Sequence, residues 1–502
     1  MLVRDTLFIG GEWVKPAGSE TIEVINPATE EPIGRVPNAT QRDVDSAVKA
    51  ASDALERGPW ASMEPVERAE VLSAVANAIR AEMPALADLI TSEVGSPIGW
   101  GTLAQVLAPS MILDYYAGLA GSYPFEELRD GTMGKLLVSK EPVGVVAAIT
   151  PWNVPLFIAA AKLAPALLAG CSVVLKPSPE AALDANRLAE LFNEAGLPKG
   201  VLSVLPGGRE TGEHLVGHPG VDKVSFTGSA AAGKRIGAAC GAQLKRCTLE
   251  LGGKSAAIIL DDADLDEALP MLLPNALMNN GEACIAQTRI LAPIGRYDEV
   301  VEALVEKVGQ MKVGDPLDPS TEIGPLVSAG QRDRVEGFIK IGNDEGAKIV
   351  LGGDRPSGID RGFYVEPTIF AGVENAMTIA QEEIFGPVLA AIPYVGDDEA
   401  VSIANDSRYG LCGSVWTGDP ERGIEVVRRV RTGTCMLNNP IPADFAAPFG
   451  GFKDSGVGRE FGPEGLEQFL ELRSASLPEG FTPSLGHQRT TAKSSAGESS
   501  SE

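Results

Sequence analysis

Two side chains of this 502-residue chain could carry out covalent or proton-transfer chemistry. Cys284 stands in NNGEACIAQTR, a loop sequence with polar flanks, whereas the other five cysteines stand among apolar or small residues that suit buried thiols. Catalytic thiols favour polarised, partly exposed positions, so Cys284 is the candidate nucleophile and an inert thiol is the alternative. Glu250 ends the apolar segment CTLEL, where burial would raise the pKa of its carboxyl towards that of a general base; a solvated strand end is the alternative.

Histidine and cysteine are too scarce for most metal-based or histidine-based chemistry, with three and six residues respectively. His214 and His218 are four residues apart, but the H-E-x-x-H pattern is absent, so we expect a surface loop and no metal site. His487 lies in a tail rich in Ser, Thr and Gly. No two cysteines have C-x-x-C spacing, and the N-terminus has no basic segment followed by an apolar one. We therefore predict reduced thiols in a cytoplasmic protein.

Alternating strands and helices would position these groups. From residue 143 the sequence predicts strand 143–150, helix 156–170, strand 172–176, helix 181–195, strands 201–205 and 221–227, helix 229–240 and strand 247–251. Apolar strands that alternate with helices indicate a doubly wound parallel sheet. A second α/β unit over 253–455 follows, with a strand at 256–260 and helices near 264–280 and 297–311.

Ligands of such sheets bind beyond the carboxyl ends of the strands, and three ends have suggestive residues. Trp152 and Asn153 follow the first strand, and Lys176 ends the second. Gly228 and Ser229 follow the strand at 221–227 and open a helix, whose free N–H groups could cradle a phosphate; an ordinary tight turn is the alternative. The G-x-G-x-x-G fingerprint is absent from the sequence.

The N-terminal part is less regular. Residues 7–37 predict short exposed strands, 41–120 predict amphipathic helices, including 44–56 and 66–90, and 123–142 predict strand and turn. The uncharged run 142–161 contains three prolines, so we interpret it as a strand, a loop and a helix start and predict no membrane span. The 42 Lys and Arg against 68 Asp and Glu give a net charge of −26, which makes nucleic acid a poor candidate for a partner.

Seven motifs, taken in order, resemble those of the NAD(P)-dependent aldehyde dehydrogenase superfamily. They are TPWNVP (150–155), KPSP (176–179), FTGS (226–229), LELGGKS (249–255), NNGEACIAQTR (279–289), EEIFGPV (382–388) and PFGGFKDSGVGRE (448–460). The opening segments FIGGEWV and INPATEE are also similar, so the resemblance covers about residues 7–475.

The resemblance implies a role for each candidate catalytic residue. Cys284 would attack the aldehyde carbonyl, and the Asn153 amide with the Cys284 N–H would stabilise the oxyanion. Glu250 would activate the water that hydrolyses the resulting thioester. Lys162 would assist proton movement, with a structural ion pair as the alternative.

The resemblance also implies NAD as coenzyme, with NADP as the alternative, and no metal. The implied coenzyme-binding residues are Thr150, Trp152, Lys176, Ser178, Gly228, Ser229, Gly233, Leu251, Glu383 and Phe385. NAD-preferring relatives often have Glu three residues after the ribose-binding Lys, but this chain has Pro179 there, followed by Glu180.

The implied substrate pocket is apolar. Its expected walls are Val154, Phe157, Ile158, Ala161, Ala283, Ile285, Phe445 and Phe449. Since a buried apolar site penalises a charged group, we expect a medium-sized apolar aldehyde. The alternatives are an NADP-preferring semialdehyde dehydrogenase, an acylating enzyme that releases acyl-CoA, a cysteine hydrolase and a catalytically silent binding or structural protein.

The resemblance implies a Rossmann-like NAD(P)-binding domain over 1–122 and 143–252, a catalytic domain over 253–455, and oligomerisation strands with a return segment over 123–142 and 456–478. Strands in the last part would build a homodimer or homotetramer. Residues 479–502 are expected to form a disordered tail.

Overall fold

The structure, a computed structural model, describes residues 1–485 and contains four sheets surrounded by helices. The strands are β1 (Leu2–Val3), β2 (Leu7–Ile9), β3 (Glu12–Val14), β4 (Thr21–Asn26), β5 (Glu31–Pro37), β6 (Glu126–Gly131), β7 (Gly134–Pro142), β8 (Val145–Ile149), β9 (Ser172–Lys176), β10 (Leu202–Val204), β11 (Lys223–Thr227), β12 (Arg246–Glu250), β13 (Ala256–Ile259), β14 (Arg289–Pro293), β15 (Lys348–Leu351), β16 (Thr368–Ala371), β17 (Val388–Tyr394), β18 (Cys412–Trp416), β19 (Thr434–Leu437), β20 (Gly456–Val457) and β21 (Leu470–Ser476).

The α-helices are α1 (Gln41–Arg57), α2 (Pro65–Ala81), α3 (Met83–Val94), α4 (Ile98–Gly101), α5 (Ala108–Leu119), α6 (Pro155–Ala169), α7 (Leu183–Glu194), α8 (Arg209–Gly217), α9 (Ala230–Ala242), α10 (Leu265–Ala276), α11 (Tyr297–Gly309), α12 (Ala329–Asp344), α13 (Thr378–Gln381), α14 (Gly396–Asn405), α15 (Pro420–Val427) and α16 (Gly462–Glu467).

The predicted doubly wound sheet is present as eight strands in the order β20-β12-β11-β8-β9-β10-β2-β3. Its five central strands, from β12 to β10, are all parallel. Strands β8, β9 and β11 are buried at every residue, which explains the mostly apolar sequences of β8 and β9. The chain runs from β8 outwards to β10 and then returns to β11 on the other side of β8. This reversal is a topological switch point, where such sheets bind ligands.

The second unit is a seven-stranded sheet in the order β15-β16-β17-β14-β13-β18-β19, parallel except for β15. The loop that contains Cys284 connects α10 to β14. A smaller antiparallel sheet, β21-β7-β6, forms the strand layer predicted from 123–142 and the C-terminal region. Strand β20 joins the first sheet, and the domain boundaries themselves stay a prediction.

Three local expectations differ from the structure. The helix predicted over 66–90 is two helices, because Pro84 occupies the first turn of a new helix after α2 has ended. His214 lies in helix α8 rather than in a loop, and its ring is 2.7 Å from Asp45. Between α4 and α5, Thr102–Leu107 form a π-helical turn that the sequence did not indicate.

The described residues contain no cluster of three or more His, Cys, Asp or Glu side chains that could hold a metal ion. No helix within residues 1–485 combines the length and apolar character needed to cross a membrane. Residues 486–502, including His487 and most of the predicted tail, lie outside the described residues.

Candidate active site

Cys284 lies where two cavities meet. The first, the sheet-end cavity, has a volume of about 270 Å³ and is lined by Trp152 and Glu383 among others. The second, the aromatic cavity, has a volume of about 300 Å³ and is lined by Phe157 and Phe445 among others. Cys284 borders both cavities, together with Asn153, Val154 and Ile158. A thiol in this position can react with a molecule in one cavity while another molecule occupies the other.

Close packing holds the loop that presents the thiol. Before Cys284 the chain makes a 3₁₀ turn over Met278–Gly281, in which Asn279 and Asn280 have left-handed φ angles of 51° and 62°. The Asn280 side chain makes hydrogen bonds of 2.6 to 3.0 Å to three backbone groups of neighbouring segments. At Gly281 φ is 74°, and a Cβ there would lie 2.2 Å from the backbone of Gly386. The loop is therefore clamped against the segment before β17.

The environment of Cys284 favours the neutral thiol. The residue is half-buried, as predicted, because the two cavities open onto it. Burial nevertheless raises the pKa of its thiol, and the carboxyls of Glu383 and Glu250 raise it further. We expected a polarised thiol from the sequence; burial instead favours its protonated form, so an attack by the sulfur would first need a base to take the proton.

Asn153 is fixed beside the thiol by its own side chain. It is buried in the connection between β8 and α6, and its Nδ2 donates a 2.8 Å hydrogen bond to the carbonyl of Glu282. A primary amide has two N–H groups, so one remains for a ligand next to Cys284.

Glu250 is a buried carboxyl, which excludes the solvated strand end considered above. Its residue is 3% exposed, and both side-chain oxygens lack a hydrogen-bond partner within residues 1–485. Burial raises the pKa of Glu250, as expected, and the neighbouring Glu460 raises it further, while Lys162 and Arg459 oppose the shift. An unpartnered buried carboxyl with a raised pKa is costly, and such groups cluster at functional sites.

Lys162 forms an ion pair, the structural alternative considered from the sequence. Its Nζ lies 2.7 Å from Oε1 of Glu460 and 3.2 Å from Oγ of Ser225, and both charged side chains are almost completely buried. The lysine therefore stabilises two carboxyls, because its charge also lowers the pKa of Glu250.

The predicted phosphate cradle is a helix N-terminus at the switch point. Ser229 caps α9 by accepting a 3.3 Å hydrogen bond from Ala232, and Gly228 donates to the carbonyl of Glu250 at 3.0 Å. Gly233 allows α9 to pack closely, since a Cβ there would lie 2.4 Å from Leu251. The ordinary tight turn is therefore excluded in favour of a capped helix that opens onto the sheet-end cavity.

The opposite wall of the sheet-end cavity comes from the segment before β17. Glu383 accepts a 2.9 Å hydrogen bond from the N–H of Gly253, and burial raises its pKa to about 7. Phe385 has a left-handed φ of 63° and contacts Trp152 edge-to-face, with ring centroids 5.4 Å apart. Backbone strain of this kind persists where surrounding structure demands it.

Besides Gly233, three predicted coenzyme residues do not line the sheet-end cavity. Lys176 is buried at the end of β9 and donates to the carbonyls of Pro177 and Gly207 at 2.6 and 2.7 Å. Ser178 hydrogen-bonds Glu180, and Thr150 is buried and bonded to the backbone of β9. These three residues therefore lie outside the walls of that cavity.

All the predicted pocket residues line the aromatic cavity except Ala161, which is buried in the core. Phe461, which the sequence did not indicate, packs against the rings of Phe157, Phe445 and Phe449 at centroid distances of 5.4 to 5.9 Å. Further unpredicted lining residues are Trp100, Ala104, Ala108, Asn275, Met278, Pro442, Ala443 and Glu460. The wall is therefore mostly apolar but includes one carboxyl.

Nearly the whole chain matches a family of known proteins. The model of the aldehyde dehydrogenase family matches residues 13–475. The chain belongs to the aldehyde dehydrogenase family. The coverage agrees with the extent of the resemblance seen in the motifs.

Similar family members include two curated enzymes and a crystal structure. The chain is 48% identical to geranial dehydrogenase of Castellaniella defragrans (94% of this chain, 98% of that one). It is 44% identical to 3-succinoylsemialdehyde-pyridine dehydrogenase of a Pseudomonas species (94% and 98%). It superposes with a TM-score of 0.94 on Mycobacterium tuberculosis aldehyde dehydrogenase complexed with NAD+, at 52% identity over 96% of this chain and 100% of that one.

Proposed function

We propose that this chain oxidises a medium-sized apolar aldehyde to the carboxylic acid, with NAD as coenzyme and Cys284 as nucleophile. The observation that carries the proposal is the position of Cys284 at the junction of the two cavities. One cavity offers a dinucleotide site and the other offers an apolar site for the aldehyde. Glu250 lies close enough to influence the pKa of the thiol.

The sheet-end cavity suits a dinucleotide. The Thr227 hydroxyl there is buried without a hydrogen-bond partner among the described residues, and the N-terminus of α9 favours a phosphate. Gly228 and Ser229 would hold the pyrophosphate, Lys176 the adenine ribose, Glu383 the nicotinamide ribose, and Phe385 would pack on the nicotinamide. Trp152 and Leu251 would complete the walls. Bound NAD supplies the hydride acceptor that converts a Cys284 thiohemiacetal into a thioester.

The charge beside Lys176 supports NAD over NADP. Pro179 replaces the glutamate that often holds the ribose, but the Glu180 carboxyl lies near Lys176. Burial lowers the pKa of Lys176 to about 8, and the charge of Glu180 opposes this shift. A carboxylate at this position would repel a 2′-phosphate.

The first half of the proposed reaction joins the aldehyde to Cys284. A base takes the thiol proton, since the neutral form is favoured at rest, and the thiolate attacks the aldehyde carbon. The free N–H of the Asn153 amide and the backbone N–H of Cys284 stabilise the oxyanion. Loss of one such donor commonly costs about 3 kcal/mol of transition-state stabilisation.

The second half releases the acid. Glu250 accepts a proton from water, whose oxygen attacks the thioester carbon, and the Cys284 sulfur leaves as thiolate. The raised pKa of Glu250 makes its carboxylate a stronger base than one in solvent. Lys162 limits how far that pKa rises, whereas Glu460, its partner in the ion pair, raises it.

The aromatic cavity supports an apolar substrate. No lysine or arginine lines it in the described part of the chain, and the buried carboxyl of Glu460 would repel a second carboxylate. The relatives named for geranial and for a pyridine-bearing semialdehyde are consistent with this class.

A panel of aldehydes with NAD and NADP, followed by the absorbance of NADH or NADPH, tests the proposal. We expect hexanal, benzaldehyde and geranial to be oxidised with NAD, and the product to be the free acid even when coenzyme A is present. A kcat/KM for succinic semialdehyde well above that for hexanal would contradict the substrate class. Acyl-CoA as product would favour the acylating alternative, and absence of turnover with every aldehyde would favour the silent one.

We also propose that strands β6, β7 and β21 build a homodimer or homotetramer. Leu472 in β21 is 69% exposed, and Met133 between β6 and β7 is 99% exposed. Large exposed apolar side chains on a small sheet are typical of an interface. Light scattering on the purified chain should give a mass of two or four subunits, and a monomer at micromolar concentration would contradict the proposal.

A further inference from the structure

The carbonyl oxygen of Asn153 is held by two side-chain amides, and one of them, that of Gln105, lies outside all seven sequence motifs. Nε2 of Gln105 and Nδ2 of Asn279 each donate a 2.9 Å hydrogen bond to it. A carbonyl oxygen has two lone pairs, so these two bonds use its full accepting capacity. They restrain the peptide of Asn153 at the point where the chain leaves β8 and has not yet entered α6.

Gln105 lies in the π-helical turn. In Thr102–Leu107 the backbone hydrogen bonds join residues five apart instead of four, as between the N–H of Ala108 and the carbonyl of Leu103. Such turns interrupt α-helices mostly as single bulges and are frequent at functional sites. The turn lies against the site, since Ala104 and Ala108 line the aromatic cavity.

A buried glutamine at position 105 costs folding free energy, which is unexpected unless its hydrogen bond to Asn153 is needed. Gln105 is completely buried, and its Oε1 has no hydrogen-bond partner among the described residues. Burying an amide with an unpaired carbonyl is unfavourable, and a leucine would fill similar space without that penalty. The orientation of the amide is determined, because the opposite flip would place two oxygens against each other.

We propose that Gln105 is a positioning residue for the oxyanion site, acting through the backbone of Asn153. The inference rests on the proposed function. Gln105 fixes the peptide plane, the Glu282 carbonyl fixes one N–H of the Asn153 amide, and the other N–H then points at the oxygen that becomes negative when Cys284 attacks a carbonyl. Misplacing such a donor slightly costs catalysis without removing the thiol.

Two reactions of Cys284 separate positioning from general damage. Attack on 4-nitrophenyl acetate forms an oxyanion and releases 4-nitrophenolate in a burst, without coenzyme. Alkylation by iodoacetamide displaces iodide and forms no oxyanion. For Gln105→Leu we expect the burst rate to fall about 10- to 100-fold, while the alkylation rate changes by less than about threefold. Thr102→Val, in the same turn but bonded to the Ile98 carbonyl, should leave both rates unchanged.

Gln105→Glu provides a second readout through pH. In this variant a neutral buried carboxyl at position 105 can still donate its O–H to Asn153, but the ionised carboxylate cannot and would repel that carbonyl. The ratio of burst rate to alkylation rate should therefore fall as pH rises from about 6 to about 9, a dependence that wild type lacks. Taking the ratio cancels the common titration of Cys284.

The outcomes separate the inference from the proposed function. A wild type that neither oxidises aldehydes nor gives a burst would refute both. A wild type with a normal burst, together with a Gln105→Leu variant that loses both reactions equally or neither, would overturn the inference alone. A pH-independent ratio in Gln105→Glu would also overturn it.

Discussion

At the scale of single residues, the site combines a thiol whose pKa is raised with carboxyls whose pKa values are also raised. Cys284, Glu250 and Glu383 are all shifted in the direction of their neutral forms, mainly by burial. This arrangement favours the protonated thiol until a base takes its proton. It also separates two roles, because removing the nucleophile and removing the base should stop the reaction at different points.

Replacement of the nucleophile should stop every covalent step. In Cys284→Ala we expect NADH production to fall by about 10³-fold or more, because no other side chain borders both cavities with comparable nucleophilicity in the described part of the chain. NAD binding, measured by calorimetry, should change little. Cys435→Ala, at another partly exposed cysteine, is the matched control and should retain activity.

Replacement of the base should block release of the acid. In Glu250→Gln steady-state turnover should fall by about 10²- to 10⁴-fold, since water loses its proton acceptor. In wild type the deacylation rate should rise with pH as Glu250 deprotonates, and the raised pKa places that rise above the usual range of a glutamate. A deacylation rate in Glu250→Gln with the same pH dependence as wild type would contradict this role.

The buried ion pair should affect both stability and pH dependence. Lys162→Met leaves Glu460 and Glu250 without the cation, and breaking a buried pair commonly destabilises a protein by about 3–5 kcal/mol. Loss of the charge should also raise the pKa of Glu250, so the increase of the deacylation rate with pH should occur at a higher pH. The double variant Lys162→Met with Glu460→Leu should recover much of the stability in thermal unfolding; no recovery would contradict the pairing.

At the scale of elements, the strands of the parallel sheet were the most predictable. Apolar runs such as 172–176 match β9 residue for residue because both faces of that strand are covered. The π-helical turn was not predictable, since an extra residue per turn leaves the apolar spacing almost unchanged. The break at Glu82 was not predicted, although Pro84, in the first turn of α3, stands at a position typical of a helix start.

The sequence predicted the site residues that stand in recognisable motifs. It did not predict the site residues that come from elements distant in the chain. Cys284, Glu250 and Asn153 stand in sequence patterns next to strand ends or polar loops. Gln105 meets the site from a turn 48 positions before Asn153, with no local pattern that indicates a catalytic contact. Glu460 ends one of the seven motifs, but nothing in that motif indicates its ion pair with Lys162. Only the tertiary packing brings them together.

The clamp on the nucleophile loop gives a prediction at this scale. Gly281→Ala would force a side chain into a left-handed position and within 2.2 Å of the Gly386 backbone. We expect a loss of about 2–4 kcal/mol of stability and a lower kcat/KM, because the loop must move to relieve the clash. Gly295→Ala, where a Cβ would meet nothing within 4 Å, is the control. Equal Tm and kcat/KM for the two variants would contradict the packing argument.

At the scale of the whole molecule, buried acids far from the site should make stability depend on pH. Glu93 accepts hydrogen bonds from the N–H groups of Leu183 and Asp184 at the start of α7, and burial raises the pKa of Asp184 to about 7. The unfolded pKa is about 3.9, so the native state binds the proton more tightly. The contribution is complete below the unfolded pKa and is lost as pH rises through about 7.

Thermal unfolding across this interval tests the linkage. Wild type should lose the contribution of Asp184 between about pH 4 and about pH 7, and Asp184→Asn, which cannot ionise, should lose less stability over this interval. Asp114→Asn, at an exposed acid paired with Arg80, is the control and should follow wild type. The same change in Tm over this interval in wild type and in Asp184→Asn would contradict the assignment.

The aromatic cavity supports the proposed class of substrate. An apolar pocket with one buried carboxyl in its wall favours a neutral aldehyde over a negatively charged one. The central claim, however, is the covalent path through Cys284, and it does not depend on which aldehyde is preferred.

Mass spectrometry of Glu250→Gln after mixing with NAD and hexanal tests that claim most directly. We expect the protein to gain the mass of one hexanoyl group and peptide mapping to locate that group on Cys284. The double variant Glu250→Gln with Cys284→Ala should gain no mass. NADH should appear in an amount equal to the adduct. An adduct on another residue, or full steady-state turnover in Glu250→Gln without any adduct, would contradict it.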